Sequence, residues 1–293
     1  MNPALEATGL GKRYGSTWAV RDLSLSVPPG RVAALVGPNG AGKTTLLQLA
    51  VGLLTPDTGE STVFGWSPRR HPTLVLARIG FVAQDRPLYR RFTVAETLRM
   101  GRELNPKWDQ PMAEQRMRRL EIPLERPVGR LSGGQQAQIA LALALSKRPE
   151  LLLLDEPVAN LDPLARRLFL SELMAAVAAD GLTVILSSHL VADLERVADH
   201  LVILGGGRLQ VAGDLDLLLP EHRWLIGPAA EAGRVGGTVV QAGTGERQCR
   251  VLVRRPRVPP GWTAEPVSLE DLVLAYLANP IAGALPMPEA VPA

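Results

Sequence analysis

Two glycines, a lysine and a threonine stand at a spacing that suits the binding of phosphate. Residues 37–44 read Gly-Pro-Asn-Gly-Ala-Gly-Lys-Thr and fit the pattern G-x-x-x-x-G-K-[ST]. The glycines let the backbone curl so that successive N–H groups point at one anion, and a following helix adds its positive end. Lys43 would reach the β- and γ-phosphates of ATP, and the Thr44 hydroxyl would face Mg²⁺. A chance match is the alternative, but an apolar strand before the loop and a helix after it favour a nucleotide site.

Two adjacent carboxylates follow a run of four leucines. Leu151–Leu154 is typical of a buried strand, and Asp155 and Glu156 come directly after it. Successive side chains diverge as they leave a strand, so the two acids suit different tasks. Asp155 is expected to hold Mg²⁺ directly or through water, and Glu156 to orient and deprotonate an attacking water. An exposed acidic turn is the structural alternative.

A second candidate anion site begins at Ser132. Residues 131–135 read Leu-Ser-Gly-Gly-Gln and precede a long helical run to about Ser146. A serine N-cap followed by glycines exposes unpaired N–H groups at a helix start. One nucleotide pocket has no use for a second anion site, so an ordinary helix cap explains this segment equally well.

The elements that would position these groups alternate between strand and helix. The apolar run Val32–Val36 predicts the strand before the phosphate loop, and a helix follows from Thr45 to a stop at Gly52. Buried strands at Leu151–Leu154 and 183–186 flank a helical stretch at 164–179, an alternation that predicts a mostly parallel sheet.

Two further stretches frame this core. Short strands are predicted near the N-terminus at 5–10 and 23–27, the second ended by the turn Pro28-Pro29-Gly30. Residues from about 88 to 148 are predicted to be helical, beginning at a capping box formed by Thr93 and Glu96.

The pattern weakens after residue 219. Residues 238–241 and 248–253 predict a hairpin, and Ser268 with Asp271 predicts the start of a short helix over 269–277. The segment 279–293 is rich in Pro and Ala and is predicted to be disordered. We therefore expect a main domain at 1–219, a small appendage at 220–278 and a disordered tail at 279–293.

The composition fits a globular protein of the cytosol. The chain has 293 residues, of which 46% are hydrophobic and 21% charged, enough for a real core. No apolar run approaches the roughly 20 residues of a membrane-spanning helix. The N-terminus carries Glu6 and turn residues in place of an apolar signal core, so we do not expect secretion. Cys249 stands alone, which excludes an internal disulfide and a cysteine zinc site.

Arginines concentrate in the middle third of a chain whose formal net charge is +3. A solvated basic face is the favoured interpretation, because the overall excess charge is small; a patch for anionic lipid or nucleic acid is the alternative. The arginines are Arg69, Arg70, Arg86, Arg90, Arg91, Arg116, Arg118 and Arg119. His71, His200 and His222 belong to no motif, and we expect surface or packing roles for them.

Residues 1–219 resemble the nucleotide-binding subunit of an ATP-binding cassette (ABC) transporter. Residues 37–44 match the Walker A loop, 131–135 the LSGGQ signature and 151–156 the Walker B strand, in the order typical of that family. The shorter motifs of the family have counterparts in Tyr14 (the aromatic that stacks on adenine), Gln84 (the Q-loop), Leu161-Asp162 (the D-loop) and His189 (the switch histidine). The signature is followed by Gln136-Ala137-Gln138, where many members place a basic residue.

The resemblance implies a fold and a set of site residues. The fold is an α/β P-loop NTPase (RecA-like) core with an antiparallel β subdomain, a helical subdomain at about 88–148 and a small C-terminal appendage. The implied catalytic residues are Lys43, Gln84, Glu156 and His189, and the implied Mg²⁺ ligands are Thr44, Gln84 and Asp155. The implied ATP contacts are Tyr14, Gly37, Pro38, Asn39, Gly40, Ala41, Gly42, Lys43, Thr44, Thr45, Ser132, Gly133, Gly134, Gln135 and Asp162. Without the resemblance, His189 would be interpreted as structural and Gln84 as a polar loop residue.

The resemblance also explains the second anion site. Two family domains pack head to tail about a twofold axis, and the signature of one covers the γ-phosphate held by the Walker A loop of the other. Ser132 and Gly134 would thus act on the other molecule's ATP, while Asp162 communicates across the dimer. The implied partners are a second nucleotide-binding subunit, with a homodimer expected, and a separate integral membrane permease; no nucleic acid is expected. Leu88, Tyr89 and Phe92 are candidates for the permease contact, with core packing as an equal alternative.

The function implied is ATP hydrolysis that drives export through that permease, at the inner face of the cell membrane. The competing hypotheses are a soluble ABC ATPase acting on DNA or ribosomes and a P-loop kinase or GTPase outside the family. The first is disfavoured because the chain has neither a long coiled-coil insertion nor a second cassette. The second is disfavoured by the LSGGQ signature and by the lack of an Asn-Lys-x-Asp stretch.

Overall fold

The computed structural model describes residues 2–245 and 247–279, so the tail predicted for 279–293 lies outside the described residues apart from Asn279. The strands are β1 (Leu5–Tyr14), β2 (Thr17–Val27), β3 (Val32–Val36), β4 (Thr58–Thr62), β5 (Ile79–Val82), β6 (Leu151–Leu154), β7 (Thr183–Ser188), β8 (His200–Gly205), β9 (Arg208–Asp214), β10 (His222–Pro228), β11 (Gly236–Thr244), β12 (Gln248–Arg257) and β13 (Thr263–Pro266). The helices are α1 (Lys43–Ala50), α2 (Pro72–Arg78), α3 (Val94–Leu104), α4 (Gln110–Arg119), α5 (Gly133–Ser146), α6 (Pro163–Asp180), α7 (Val191–Leu194), α8 (Leu215–Glu221) and α9 (Leu269–Ala278). None of the helices within this part of the chain is long and apolar enough to cross a membrane.

A six-stranded sheet forms the centre of the molecule. Its strand order is β5-β6-β7-β3-β8-β9, and every neighbouring pair is parallel except the β8–β9 hairpin. β3, β6, β7 and β8 are buried along their whole length, because helices cover both faces of a parallel sheet. The predicted parallel sheet is confirmed, and the order brings the carboxyl ends of β6, β7 and β3 side by side.

A three-stranded antiparallel sheet, in the order β2-β1-β4, packs beside this core. Its first two strands extend beyond the predicted 5–10 and 23–27, up to the pair Tyr14–Thr17. Of the ten residues added, six are polar or glycine and five are exposed, so hydrophobicity did not reveal them. The strands meet at a tight turn where Gly15 has a φ of 58°, which glycine adopts without steric cost.

Helices α3, α4 and α5 form a unit on one side of the central sheet. Thr93 and Glu96 make both hydrogen bonds of the predicted capping box at the start of α3. Val94, Leu98, Met117 and Ile139 belong to the small core of this unit. The predicted helical stretch between residues 88 and 148 is therefore present.

Arg116 corrects the prediction that all the middle arginines form a solvated face. Its side chain is 7% exposed, and its guanidinium donates to the Glu172 backbone oxygen at 3.2 Å and lies 3.3 Å from the Glu172 carboxylate. Arg119 pairs with the same carboxylate. Spacing on the sequence could not reveal this, because the partner is on α6, more than 50 residues away. The pair joins the helical unit to the central domain.

Residues 222–266 form a second antiparallel sheet, in the order β11-β12-β10-β13. The predicted hairpin is confirmed by the pairing of β11 with β12, and Ser268 accepts a hydrogen bond from Asp271 N at the start of α9 as predicted. Trp224, Leu272 and Tyr276 share one hydrophobic cluster with Leu201 and the central sheet. This C-terminal part thus packs directly on the main domain.

His222 is buried at the start of β10 and has a packing role. Its Nδ1 donates to the Leu218 carbonyl at 2.6 Å, and its Nε2 accepts from the Tyr276 hydroxyl at 2.9 Å. Burial lowers the pKa of His222 below its ordinary value of 6.5; the hydrogen bond to the Leu218 carbonyl and the charge of Glu221 oppose this, and the charge of Arg254 adds to it. His222 is therefore a neutral side chain within the core.

We expect the free energy of unfolding to fall as pH drops through about 6.5. Below that pH the unfolded chain gains a proton on His222 that the folded chain resists, so acid shifts the equilibrium toward unfolding. His222→Gln removes this titration, and urea unfolding of both proteins between pH 8 and 5.5 measures it. The stability difference between wild type and variant should shrink below pH 6.5; parallel curves would contradict the prediction.

Candidate nucleotide site

The candidate site lies where the carboxyl ends of parallel strands meet. β3 runs into the loop 37–44, β6 into Asp155 and Glu156, and β7 into His189. Since β6, β7 and β3 are consecutive in the sheet, the three segments lie at one edge. Ligands of open α/β sheets bind at this edge.

The loop 37–44 curls as its glycines predict. Gly40 and Gly42 have φ values of 80° and 101°. A Cβ on Gly42 would lie 2.4 Å from the Ala19 carbonyl, and one on Gly37 would lie 2.5 Å from that of Leu204. Glycine is therefore required for the backbone angle at Gly40 and Gly42, and for the close approach of neighbouring strands at Gly37 and Gly42.

Lys43 begins α1 and is 5% exposed. Its ammonium donates to the Gly37 carbonyl at 2.7 Å and to the Pro38 carbonyl at 3.3 Å, and it lies 3.4 Å from the Glu156 carboxylate. A buried lysine at the first turn of a helix places a fixed positive charge beside the free N–H groups of the helix start. This combination attracts a multiply charged anion.

A cavity of about 570 Å³ opens over this loop. The predicted site residues on its wall are Asn39, Gly40, Ala41, Gly42, Lys43, Thr44, Thr45, Gln84, Glu156 and His189. Ala19, Ala159 and Asn160 also line it and were not identified from the sequence. The D-loop position of Asn160, two residues before Asp162, was the available signal for it. The volume accommodates a ligand of nucleotide size.

Glu156 and His189 form a pair at this cavity. Glu156 has a φ of 46°, in the left-handed region, which aims its side chain away from that of Asp155. Its carboxylate lies 2.8 Å from His189 Nδ1. Asp155 is buried and does not line the cavity; its carboxylate accepts a hydrogen bond from Ser187 at 2.8 Å. The divergence expected of the two acids is therefore present.

The signature segment and Asp162 of the D-loop lie outside this cavity. The Ser132 hydroxyl accepts from Gln135 N at 3.2 Å, and the Gln135 side chain accepts from Ser132 N at 3.1 Å, so together they cap α5. Asp162 caps α6 by accepting from Ala165 N at 2.9 Å. Gly133 and Gly134 form the first turn of α5 and do not line the cavity either.

Tyr14 also lies outside the cavity lining. It is 51% exposed at the end of β1, and the Lys12 ammonium lies 6.0 Å from its ring centroid. The structure therefore does not bring Tyr14 to the wall formed by the loop 37–44. Gly37 and Pro38 contribute through the carbonyls that bind Lys43.

The oxygen donors at the site fit Mg²⁺. Thr44 and Gln84, which carry a hydroxyl and an amide, line the cavity, and Asp155 directly follows the carboxyl end of β6, outside the lining. Mg²⁺ prefers oxygen ligands and is commonly held by one or two protein side chains together with water and substrate phosphates. The hydroxyl, amide and carboxylate oxygens of Thr44, Gln84 and Asp155 match this preference for a few protein oxygen ligands.

Comparisons with known proteins agree with this geometry. The family profile described as ABC transporter matches residues 20–159. The Nod factor export ATP-binding protein I of Sinorhizobium fredii is 34% identical over 295 residues, which cover 92% of this chain and 85% of the relative. The sulfate/thiosulfate import ATP-binding protein CysA of Caulobacter vibrioides is 35% identical, over 78% of this chain and 70% of the relative.

Solved structures show the same likeness. An ATP-binding subunit of an ABC transporter superposes with a TM-score of 0.66 at 30% identity, covering 73% of this chain and 90% of that one. A bacterial Atm1-family ABC exporter with ATP bound gives a TM-score of 0.65 at 27% identity, covering 74% of this chain and 39% of that one. With the motifs at the cavity, these likenesses show that the chain belongs to the family of ABC transporter ATP-binding subunits and is an ATPase.

Proposed function

We propose that the chain hydrolyses ATP as a homodimer and drives export through a separate membrane permease. The observation that supports the hydrolytic site is the convergence of Lys43, Glu156 and His189 on one cavity above the loop 37–44. A cation for phosphate, a carboxylate for water and a histidine on that carboxylate are the groups that phosphoryl transfer to water requires.

Each of these groups has a defined task in this proposal. The loop N–H groups and Lys43 hold the β- and γ-phosphates and stabilise the charge that develops in the transition state. Glu156 orients a water and accepts its proton as the water oxygen bonds to the γ-phosphorus; the bond to the ADP oxygen breaks. His189 holds the Glu156 carboxylate through the 2.8 Å contact and contacts the γ-phosphate when ATP is bound.

Thr44, Gln84 and Asp155 would hold Mg²⁺. The ion would neutralise charge on the β- and γ-phosphates during transfer. Thr44 is suited to contact it directly because it follows Lys43 on the cavity wall, and Asp155 through water because its carboxylate is already engaged by Ser187.

The dimer is supported by the position of the signature segment. Ser132 and Gly133 are exposed at the start of α5, where the Gly133 and Gly134 N–H groups can bind an anion while the Ser132 N–H is bonded to Gln135; yet none of the three residues lines its own molecule's cavity. A head-to-tail twofold arrangement gives each cavity the signature of the other molecule, and two such sites result from one interface. Asp162, which precedes α6 near Asn160 of the cavity wall, would lie at that interface.

The surface next to the Q-loop is our candidate for permease binding. Tyr89 and Phe92 are exposed and stack with ring centroids 5.1 Å apart, whereas Leu88 packs against the core of the helical unit. The proposal therefore keeps Tyr89 and Phe92 as contact residues and gives Leu88 a supporting role. Such a contact would hold the chain at the inner face of the cell membrane.

Export is supported by the extent of similarity to the Nod factor export proteins. Matches to two of them extend over 92% and 93% of this chain, beyond the three quarters that residues 1–219 represent, while matches to two others extend over 75%. The match to the sulfate/thiosulfate import protein extends over 78%. Similarity that includes the C-terminal sheet thus favours an exporter.

Inside-out membrane vesicles test the direction of transport. Vesicles containing the chain and a permease encoded beside it should accumulate compounds from a cell extract when ATP is added outside, as measured by mass spectrometry. Vesicles with the Glu156→Gln variant are the control and should accumulate none. ATP-dependent loss of preloaded compounds from the same vesicles would indicate import, and a chain that stays out of the membrane fraction would contradict the permease.

A further inference from the structure

One buried hydroxyl lies between the two acidic residues at the end of β6. Ser187, on the neighbouring strand β7, is 0% exposed. Its Oγ donates to the Asp155 carboxylate at 2.8 Å and accepts from the Glu156 backbone N–H at 2.8 Å. Ser187 does not line the cavity, so it can influence the reaction only through these two residues.

The backbone of Glu156 needs such a partner. Its φ of 46° lies in the left-handed region, which residues with a Cβ adopt at a cost in free energy and keep only where the surroundings hold them. The hydrogen bond from the Glu156 N–H to Ser187 Oγ is made at the residue that has this left-handed φ, where the chain turns at the end of β6. This turn directs the Glu156 carboxylate into the cavity, 2.8 Å from His189 and 3.4 Å from Lys43.

The other half of the bridge acts on Asp155. A carboxylate that accepts a hydrogen bond from a fixed, buried hydroxyl keeps one orientation, which leaves its remaining lone pairs aimed in a constant direction. The same hydroxyl thus fixes the carboxylate proposed to face Mg²⁺ and the backbone that carries the carboxylate proposed to activate water. Within residues 2–245 and 247–279, no other side chain forms hydrogen bonds with both Asp155 and Glu156.

We propose that Ser187 is a positioning residue for ATP hydrolysis, which sets Asp155 and Glu156 in their separate directions through one hydroxyl. The inference rests on the roles proposed above for those two acids. It predicts that loss of the hydroxyl lowers turnover while the phosphate loop, and with it the affinity for ATP, is preserved.

The same strand supplies a matched control. Thr183, at the other end of β7, is 2% exposed, and its hydroxyl accepts from Gly30 N at 2.9 Å. It lies four residues from Ser187, roughly 13 Å along the strand. Thr183→Val removes a buried hydroxyl of similar burial without touching Asp155 or Glu156, so it reports the general cost of such a loss.

The experiment compares Ser187→Ala, Ser187→Cys and Thr183→Val with the wild type. Ser187→Ala should lower kcat about tenfold to a hundredfold, since misplacing a reacting group by about 1 Å costs up to that much. Its Kd for ATP, measured with a fluorescent analogue, should stay within about threefold of wild type, and half-maximal rate should require more Mg²⁺. Ser187→Cys keeps the size and a weak donor, so its kcat should be intermediate; Thr183→Val should retain wild-type kcat and Mg²⁺ dependence.

Three results would overturn the inference: wild-type kcat in Ser187→Ala, an equal fall of kcat in Thr183→Val, or loss of ATP affinity in parallel with kcat. If Ser187→Ala fails to fold, Ser187→Cys decides the matter by the same criteria. If Ser187→Ala has wild-type turnover while Glu156→Gln is inactive, the positioning role of Ser187 is rejected and the proposed role of Glu156 stands. Wild-type turnover in Glu156→Gln would instead reject the proposed function of the acids.

Discussion

Glu156→Gln should lower ATP turnover by about 10²- to 10⁴-fold, the range that a general base contributes. The amide keeps the size of the side chain and can still bond to His189 at the 2.8 Å contact, but it cannot accept a proton from water. Steady-state release of phosphate under saturating ATP measures the change.

ATP affinity should not fall in this variant. In the wild type the Glu156 carboxylate lies 3.4 Å from Lys43 and would also repel the phosphates of bound ATP. The uncharged amide of the Glu156→Gln variant would neither pair with the Lys43 ammonium nor repel the phosphates, so the Kd for ATP should be unchanged or lower. Glu150→Gln is the matched control because Glu150 precedes the other end of β6, far from the cavity, and forms a surface pair with Arg78. Unchanged turnover in Glu156→Gln would exclude Glu156 as the base.

Gly133→Asp should abolish hydrolysis while leaving the isolated molecule intact. A Cβ at Gly133 meets no atom within 4 Å, and its φ is not in the left-handed region. The new carboxylate stands at the start of α5, where a negative charge stabilises the helix. We therefore do not expect the substitution to disturb the nucleotide cavity of the molecule that carries it.

The expected loss arises between molecules. In the proposed dimer the Gly133 backbone of one molecule approaches the γ-phosphate of the other, where a carboxylate would repel it. Thermal unfolding should match the wild type, and ATP should still bind to the loop 37–44. Gly233→Asp is the control, because Gly233 is exposed, has open space around its Cα and lies in the C-terminal part of the chain. Wild-type turnover in Gly133→Asp would contradict a role for the signature in the partner's site.

The phosphate loop and the acidic pair were predictable from sequence because their chemistry depends on local spacing. Residues 37–44 are contiguous, and the backbone angles that the glycines require are present at Gly40 and Gly42. Leu151–Leu154 likewise leads directly into Asp155 and Glu156. In both cases a strand and the turn after it contain the whole signal, so the surrounding fold adds little to the prediction.

Gln84 and His189 required the resemblance to the family. Each is an isolated loop residue with no local motif around it. Gln84 follows β5 and His189 follows β7, and only the positions of these strands in the sheet bring the two residues to the cavity wall. The residues that sequence reasoning missed share this property. Ser187 looks like an ordinary end of a strand, and its importance depends on the pairing of β6 with β7. Asn160 lies in a turn whose path is set by the strand and helix on either side.

Other parts of the fold follow the same rule. The burial of Arg116 depends on Glu172 on a distant helix, so a count of arginines along the chain could not reveal it. The position of Tyr14 depends on a strand extended by polar residues that carry no hydrophobic signal. Long-range partners, not local propensity, decide these features.

The most direct test of the proposed dimer is a mixture of Lys43→Ala and Gly133→Asp proteins. Each variant alone should be inactive, since both sites of its homodimer carry the same defect. In a mixed dimer one site has both defects, and the other combines the intact Lys43 of one chain with the intact Gly133 of the other. Random pairing at equal amounts should then restore about a quarter of wild-type turnover per chain, because half of the dimers would have one complete site out of two. Recovery near that level is the result predicted for a cavity shared by two molecules, and a mixture as inactive as its components would contradict it.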